Sequence, residues 1–184
     1  MSLAIFTQTC AKNVSGASKI FIADKATVTA VTVGTGEITA ITGTTPFMRV
    51  DTVQDSLQWK EEEGAVGLYN AQIKNTIDFN VLPPSKTTNV LLQALMDGTP
   101  CGFFAIIIDS NGSCWLVGHN ATDLMSRPLR VAKITHDTGK GIAVAEGNQL
   151  QIELANDCSG LALPFNSAMT ATIVGGTDTC IKWT

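Results

Sequence analysis

The stretch AIIIDSNGSCWLVG, residues 105–118, decides the fold of this chain, because it is apolar on both sides of a short polar turn. Asn111 and Gly112 form the dipeptide that most strongly favours a two-residue type I′ turn. The stretch therefore predicts a β-hairpin whose register is set by that turn. The predicted pairs are Ile108 with Trp115, Ile107 with Leu116, and Ile106 with Val117.

Both faces of the predicted hairpin are apolar, whereas a hairpin with one solvated side alternates apolar and polar residues. We expect one face to pack in the core of the subunit. The other face is expected to lie under a helix or under a neighbouring copy of the chain, so these side chains are candidates for core or interface. One face carries Ile106, Ile108, Trp115 and Val117, and the other carries Ile107 and Leu116.

The composition favours a subunit of an assembly. Charged residues make up 15% of the chain and hydrophobic residues 45%, with a mean hydropathy of +0.20. An average soluble domain has roughly 25% charged residues, and free monomers usually stay soluble by charge.

The net charge is −4, and no run of Lys or Arg is present that could follow a phosphate backbone. Mild acidity suits a surface past which nucleic acid slides without binding.

Length and cysteine content indicate one domain with reduced thiols. A chain of 184 residues is long enough for a single core. The count of five cysteines is odd and contains no C-x-x-C pair, and the predicted register disfavours a Cys101–Cys114 disulfide.

The first residues do not resemble a signal peptide, and no apolar run of ~18 residues predicts a membrane-spanning helix. His119 and His136 lack the spacing of zinc ligands, so we expect no metal and no cofactor.

Strands and turns dominate the rest of the chain. Residues 27–42 alternate Thr, Val and Ile around a Gly-rich turn, which predicts a hairpin. Residues 1–45 are expected to form an N-terminal hairpin or arm that reaches a neighbouring subunit, within a single domain of residues 1–184. Asn70–Leu82 alternates apolar and polar residues, which predicts one buried and one wet face. Further strands are predicted at 19–23, 56–63, 128–136, 148–154, 168–175 and 179–184.

One helix is predicted over Lys86–Gly98, with apolar side chains at helical spacing. Thr87 or Thr88 is the expected N-cap, and Gly98 offers a left-handed end. A single helix among many strands covers one open side of the sheets. The predicted fold is mainly β: a β-sandwich or partly open barrel with one packed α-helix.

A search for catalytic chemistry finds no candidate residue set. No nucleophile elbow or phosphate-binding loop is present. The sharpest charge cluster is Glu61, Glu62 and Glu63. These carboxylates suit a solvated strand end, an acidic rim facing a channel or a neighbour, or the acid–base pair of a glycoside hydrolase. We therefore expect a protein that is not an enzyme.

Several short stretches resemble tail tube proteins and related tail or neck structural proteins of tailed bacteriophages, nearest to those that infect Bacteroidetes. The resemblance spans residues 36–165. The stretches that carry it are GEITAIT, DSLQWKEEEG, KNTIDFNVL, TTNVLLQALMDG, CGFFAIIIDSNGSCWLVGHN and LALPF.

This resemblance implies a virion structural subunit, assembled in the host cytoplasm. Its copies would form a homo-oligomeric ring, expected to be six-fold, and the rings would stack into a tube or neck. DNA would pass through the lumen without specific binding during ejection, and the partners would be other tail or neck proteins rather than a membrane. Glu61, Glu62 and Glu63 are the expected lumen-facing or intersubunit acids. The alternative is a secreted or surface β-sandwich that binds carbohydrate, with Trp59, Trp115 and Trp183 as candidate platforms.

Overall fold

The computed structural model describes residues 16–66, 70–81, 85–119, 127–137, 149–158, 160–170 and 180–181. Of the described residues, 61% lie in strands and 16% in helices, and the sheets that they form do not close, so the fold is mainly β. This confirms the predicted β-sandwich or partly open fold with one main helix. The described strands are β1 (Ala17–Asp24), β2 (Val28–Gly34), β3 (Glu37–Gly43), β4 (Phe47–Val50), β5 (Gln58–Val66), β6 (Asn70–Val81), β7 (Phe103–Asp109), β8 (Cys114–Val117), β9 (Arg130–Asp137), β10 (Gln149–Cys158), β11 (Leu163–Pro164) and β12 (Cys180–Ile181).

Two sheets and a separate hairpin contain these strands. The larger sheet has six strands in the order β11-β8-β7-β1-β4-β12, and the smaller has four in the order β5-β6-β10-β9. The strands β2 and β3 form a hairpin of their own. The single long helix α1 (Lys86–Gly98) connects the four-stranded sheet to the six-stranded one.

The loop between β7 and β8 is longer than predicted. The Asp109 N–H donates to the Ser113 carbonyl at 2.9 Å, and the Asp109 carboxylate accepts the N–H groups of Asn111 and Ser113 at 2.9 and 2.8 Å. Gly112 adopts φ 85°, a left-handed conformation suited to glycine. The predicted two-residue turn is therefore wrong, because the Asp109 side chain holds a longer loop. The observed pairs are Ile108 with Cys114, Ile107 with Trp115, and Ile106 with Leu116.

A shift of one residue exchanges the two faces of β8, since side chains alternate along a strand. Leu116 therefore joins Ile106 and Ile108 in one core, and Val117 joins Ile107 in the other. The predicted grouping of Trp115 and Val117 with Ile106 and Ile108 is wrong for this reason. Trp115 itself is partly exposed, whereas the other five hairpin side chains are buried.

The first core lies between the two sheets. Ile77, Phe79 and Val81 from β6 are buried on one face, as their alternation predicted. They pack with side chains from the facing surface of the six-stranded sheet, and Leu95 of α1 closes the same core. The helix and the four-stranded sheet thus cover one face of the central strands.

The second core lies on the opposite face of the six-stranded sheet and is covered by the same chain. Ile38 and Ile41 of β3 are buried there with Phe165. The helix covers one face of the β7–β8 hairpin, as predicted, but that face is the first core. The second face is covered by the β2–β3 hairpin, which folds back over it, and not by a neighbouring copy. The two apolar faces of the β7–β8 hairpin therefore need no neighbouring copy to bury them.

Residues 163–166 join this cover to the central sheet. The Phe165 N–H donates to the Cys114 carbonyl at 3.0 Å, and the Asn166 N–H donates to the Ile38 carbonyl at 3.0 Å. One short segment thereby bonds to both β8 and β3. The outer face of the β2–β3 hairpin stays exposed, so its contact with a neighbouring subunit remains a prediction, and residues 1–15 lie outside the described part of the chain.

The helix has the predicted bounds but different ends. Ser85 is the N-cap: its hydroxyl accepts the Thr88 N–H at 3.2 Å, and the Thr88 hydroxyl accepts the Ser85 N–H at 3.0 Å in a reciprocal capping box. Thr87 and Thr88 are therefore not the cap, because Ser85 precedes the helix and can supply its hydroxyl. The left-handed residue after the helix is Gly102, with φ 81°, rather than Gly98.

Several other elements differ from the sequence predictions. The short strands β4 and β11 were not predicted, because two to four residues carry too little alternation to distinguish a strand. Residues 168–170, predicted as the start of a strand, are helical. The remainder of that predicted strand, residues 171–175, lies outside the described residues.

Candidate assembly interface

The predicted acidic cluster is divided between the two sides of β5. Glu62 is exposed on the outer face of the four-stranded sheet, where its carboxylate lies 2.5 Å from the Lys60 ammonium group. Glu61 points to the opposite side and is half-buried, because neighbouring residues of a strand alternate. Glu63 is exposed further along the strand. The three glutamates thus lie next to each other in sequence without forming one acidic surface.

Glu61 has a structural partner inside the fold. Its carboxylate accepts the Ala162 N–H at 2.7 Å, which ties the segment before β11 to the edge strand β5. Burial raises the pKa of the Glu61 carboxyl, and the hydrogen bond from Ala162 opposes this shift. Glu61 is therefore held half-buried, whereas Glu63, on the same side of the strand, is exposed.

The outer face of the four-stranded sheet is polar and balanced in charge. Its alternating positions carry basic and acidic side chains from all four strands, which the register places in adjacent rows. Among the described side chains of this face, the charges number four of each sign, so these side chains together carry no net positive charge. The basic residues are Lys60, Lys74, Arg130 and Lys133, and the acidic residues are Glu62, Asp78, Glu153 and Asp157.

One row of this face holds two acids directly opposite each other. Asp78 of β6 pairs with Glu153 of β10, and Glu153 pairs in turn with Lys133 of β9. Burial raises the pKa of the Asp78 carboxyl, the Glu153 charge raises it further, and the Lys133 charge opposes both. The row is thus partly neutralised by a basic residue on the edge strand.

Both edges of the four-stranded sheet are open among the described residues. β5 pairs with β6 alone, and β9 pairs with β10 alone. An open edge presents backbone N–H and C=O groups that can bond to another strand. All three pairings inside the sheet are antiparallel, so β5 and β9 run in opposite directions. These two edges are the candidate assembly interface.

Two of the three candidate platform tryptophans lie side by side. The ring centroids of Trp59 and Trp115 are 5.7 Å apart and their planes are tilted by 46°. The indole N–H of Trp59 donates to the Asn75 amide oxygen at 3.3 Å, and Trp59 packs against the first core. The rings thus serve packing and do not form one flat surface. Trp183 lies outside the described residues.

The described thiols are not paired in disulfides, and burial shifts the pKa values of Cys114 and His119. Cys101, Cys114 and Cys158 are free thiols, and burial, with the Asp109 charge, raises the pKa of Cys114 to about 11. Burial lowers the pKa of His119, whose ring lies edge-on to Phe104 at 6.3 Å. Within the described ranges, no group of three or more metal-ligating side chains occurs. No helix in that part of the chain is long and apolar enough to cross a membrane.

Comparison with protein-family models, with curated proteins and with solved structures finds no match to this chain.

Sequence analysis did not identify the two sheet edges, although it predicted the strands that form them. Which strands become edges depends on pairings between residues far apart in the chain, such as β6 with β10. Local alternation contains no information on those pairings. The one sequence signal at an edge is the charged run of β5, because charged residues are common on edge strands.

Proposed function

We propose that this chain is a non-enzymatic structural subunit whose copies join edge to edge through β5 and β9. The observation that carries this proposal is the opposite direction of the two open edge strands. If β9 of one copy lies beside β5 of the next, the two strands are antiparallel and the sheet continues across the contact. A head-to-tail contact of this kind uses two different surfaces, and it closes into a ring or extends into a filament.

The resemblance to phage tail and neck proteins gives this assembly its role. In that role the four-stranded sheets of six copies line a channel, and the rings stack into a tail tube or form a neck ring of the virion. Their polar faces point into the lumen. A face with no net positive charge has no excess of cations to bind phosphates, so DNA passes without being held. The other tail or neck proteins and a second layer of rings are the expected partners.

Proline variants of the two edges test the proposal. Proline removes a backbone N–H and therefore blocks strand addition at an edge. Neighbouring N–H groups of a strand point to opposite sides, so each edge is tested at two adjacent positions, Glu62→Pro or Glu63→Pro in β5, and Ala132→Pro or Lys133→Pro in β9. Circular dichroism selects the member of each pair that keeps the native fold. Glu62→Ala and Lys133→Ala are the matched controls, because they shorten a side chain and keep the N–H.

Light scattering and negative-stain images give the outcome. The wild-type chain and both alanine controls are expected to form rings or tubes, and each proline variant alone is expected to stay monomeric. A mixture of one β5 variant with one β9 variant retains a single intact pair of edges, so we expect a heterodimer that grows no further. A monomeric wild-type chain at all concentrations, or assembly by both edge variants, would contradict the proposal.

The alternative function, a carbohydrate-binding β-sandwich, is favoured by one observation, the partly exposed pair of Trp59 and Trp115. Their tilt and the hydrogen bond from Trp59 to Asn75 make it the weaker proposal. Titration of tryptophan fluorescence with soluble polysaccharides distinguishes the two functions. A saturable change in a monomeric protein would support carbohydrate binding.

A further inference from the structure

An apolar groove lies between α1 and β4, away from the two open edges of the four-stranded sheet. Its volume is about 640 Å³. Two large apolar side chains on its walls are exposed to solvent, Val90 of α1 by 63% and Met48 of β4 by 52%. Val50, Leu91 and Leu95 continue the apolar lining. An exposed apolar surface with a concave shape is typical of a docking site.

A second, polar cleft connects this groove to the beginning of β1. It has a volume of about 270 Å³ and shares Arg49 and Val50 with the groove. Its other walls include Ala17 and Ser18, the first residues of β1. The two clefts thus form one track that begins where residues 1–15 join the described fold.

We propose that the groove binds the apolar segment Leu3–Phe6 of the same chain. Along residues 1–15, the polar and apolar residues occur in the same order as the polar cleft and the apolar groove along the track. Counting back from Gly16, the residues first met are mostly polar and include Lys12, Asn13 and Ser15, and they correspond to the polar cleft. The four consecutive apolar residues 3–6 lie closer to the beginning of the chain, and they correspond to the apolar groove.

The segment is long enough to reach. Ile20 pairs with Val50 and Ile22 pairs with Met48 across β1 and β4, so the groove lies about five residues along β1 from Ala17. At about 3.3 Å per residue this distance is roughly 17 Å. The ten residues from Phe6 to Gly16 span up to about 33 Å when extended. The tether therefore reaches the groove with slack.

The same chain is favoured over a second copy because the tether is short. A tether of this length gives an effective concentration in the millimolar range, which exceeds the concentration of other copies in a dilute solution. The groove is separate from β5 and β9, so this contact does not depend on the proposed ring.

Disulfide trapping tests the contact. Cys10→Ser and Cys101→Ser first remove the natural cysteines of the segment and of the described surface. Ile5→Cys is then combined with Val90→Cys in the groove or, as the matched control, with Leu161→Cys, whose side chain is also 63% exposed but does not line the groove. We expect the groove pair to cross-link within one chain at least about tenfold faster than the control pair, since the control measures the tether alone. Phe6→Ser should slow the groove pair toward the control rate.

Each other outcome overturns the proposal. Equal rates for the two pairs would show that the segment is not seated in the groove. Cross-linked dimers in dilute solution, mapped by mass spectrometry to the two introduced thiols of the Ile5→Cys and Val90→Cys pair, would show that a second copy is the occupant. A rate that Phe6→Ser leaves unchanged would show that the apolar side chains do not hold the segment.

Discussion

At the scale of single residues, Glu61 differs from Glu62 because the two lie on opposite sides of β5. It differs from Glu63, which lies on its own side, because Glu61 is half-buried and Glu63 is exposed. The Glu61 carboxylate accepts a backbone N–H from Ala162, whereas Glu62 pairs with Lys60 in solvent. Exposed ion pairs contribute little to stability, but a buried N–H that loses its acceptor is costly. The three neighbours are therefore expected to respond differently to the same substitution.

Glu61→Ala should lower the free energy of unfolding by about 1–3 kcal/mol, because the Ala162 N–H loses its acceptor. Glu61→Gln keeps an acceptor oxygen and should cost less. The controls Glu62→Gln and Glu63→Gln should stay within about 0.5 kcal/mol of the wild type. Urea denaturation monitored by tryptophan fluorescence gives the values. Equal effects for Glu61→Ala and Glu62→Gln would contradict the assigned contact.

The raised pKa of Glu61 adds a pH dependence to the same comparison. The folded state holds this proton to a higher pH than the unfolded state does, so between the two pKa values the folded state binds more protons. The free energy of unfolding therefore falls as pH rises through this window, which lies above the usual glutamate value of 4.5. Glu61→Gln should show a smaller fall than the wild type, because only the contribution of Asp78, whose pKa is also raised, then remains.

At the scale of elements, α1 shows that its sequence encodes the body of the helix more clearly than its ends. The apolar spacing predicted Lys86–Gly98, which is the observed range. The predicted cap lies two or three residues too late, because Ser85, Thr87 and Thr88 can each supply a capping hydroxyl. The reciprocal bonds between Ser85 and Thr88 decide the start in the structure.

Ser85→Ala should lower the free energy of unfolding by about 1 kcal/mol, within the range of roughly 0.5–2 kcal/mol found for lost N-caps. Lys86→Ala is the control, because it changes an exposed residue and leaves the capping box intact. Thermal unfolding followed by circular dichroism measures both. If the two variants have the same melting temperature, the cap does not stabilise the helix as assigned.

At the scale of the whole molecule, the six-stranded sheet is the middle layer of the fold. One face packs on the four-stranded sheet and α1, and the other packs on the β2–β3 hairpin and Phe165. This arrangement explains the doubly apolar strands within one chain. A chain with few charges can therefore bury most of its large apolar side chains within its own fold. Among the described residues, the large apolar side chains that stay exposed are Val33, Met48, Val90, Met96 and Leu161.

Ile38→Ala should lower the free energy of unfolding by about 2–5 kcal/mol, since Ile38 is fully buried on the inner face of the hairpin and truncation leaves a cavity. Val33→Ala, at an exposed position of the same hairpin, should change it by about 0.5 kcal/mol or less. Chemical denaturation of the two variants in parallel makes the comparison. A small effect for Ile38→Ala would mean that the hairpin is not the cover of the second core.

The fold class, most of the strands, the helix and the buried face of β6 could be predicted from the sequence. Each of these follows from alternation or spacing within about a dozen residues, which is the range over which local patterns act. The tertiary structure alone decided the register of β7 with β8, the inward turn of Glu61, the cover of the second core and the two open edges. These features depend on one side chain, such as Asp109, meeting backbone groups across a loop, or on strands that pair over long separations in the chain. Local patterns do not encode such contacts, since they form only when distant segments pack together.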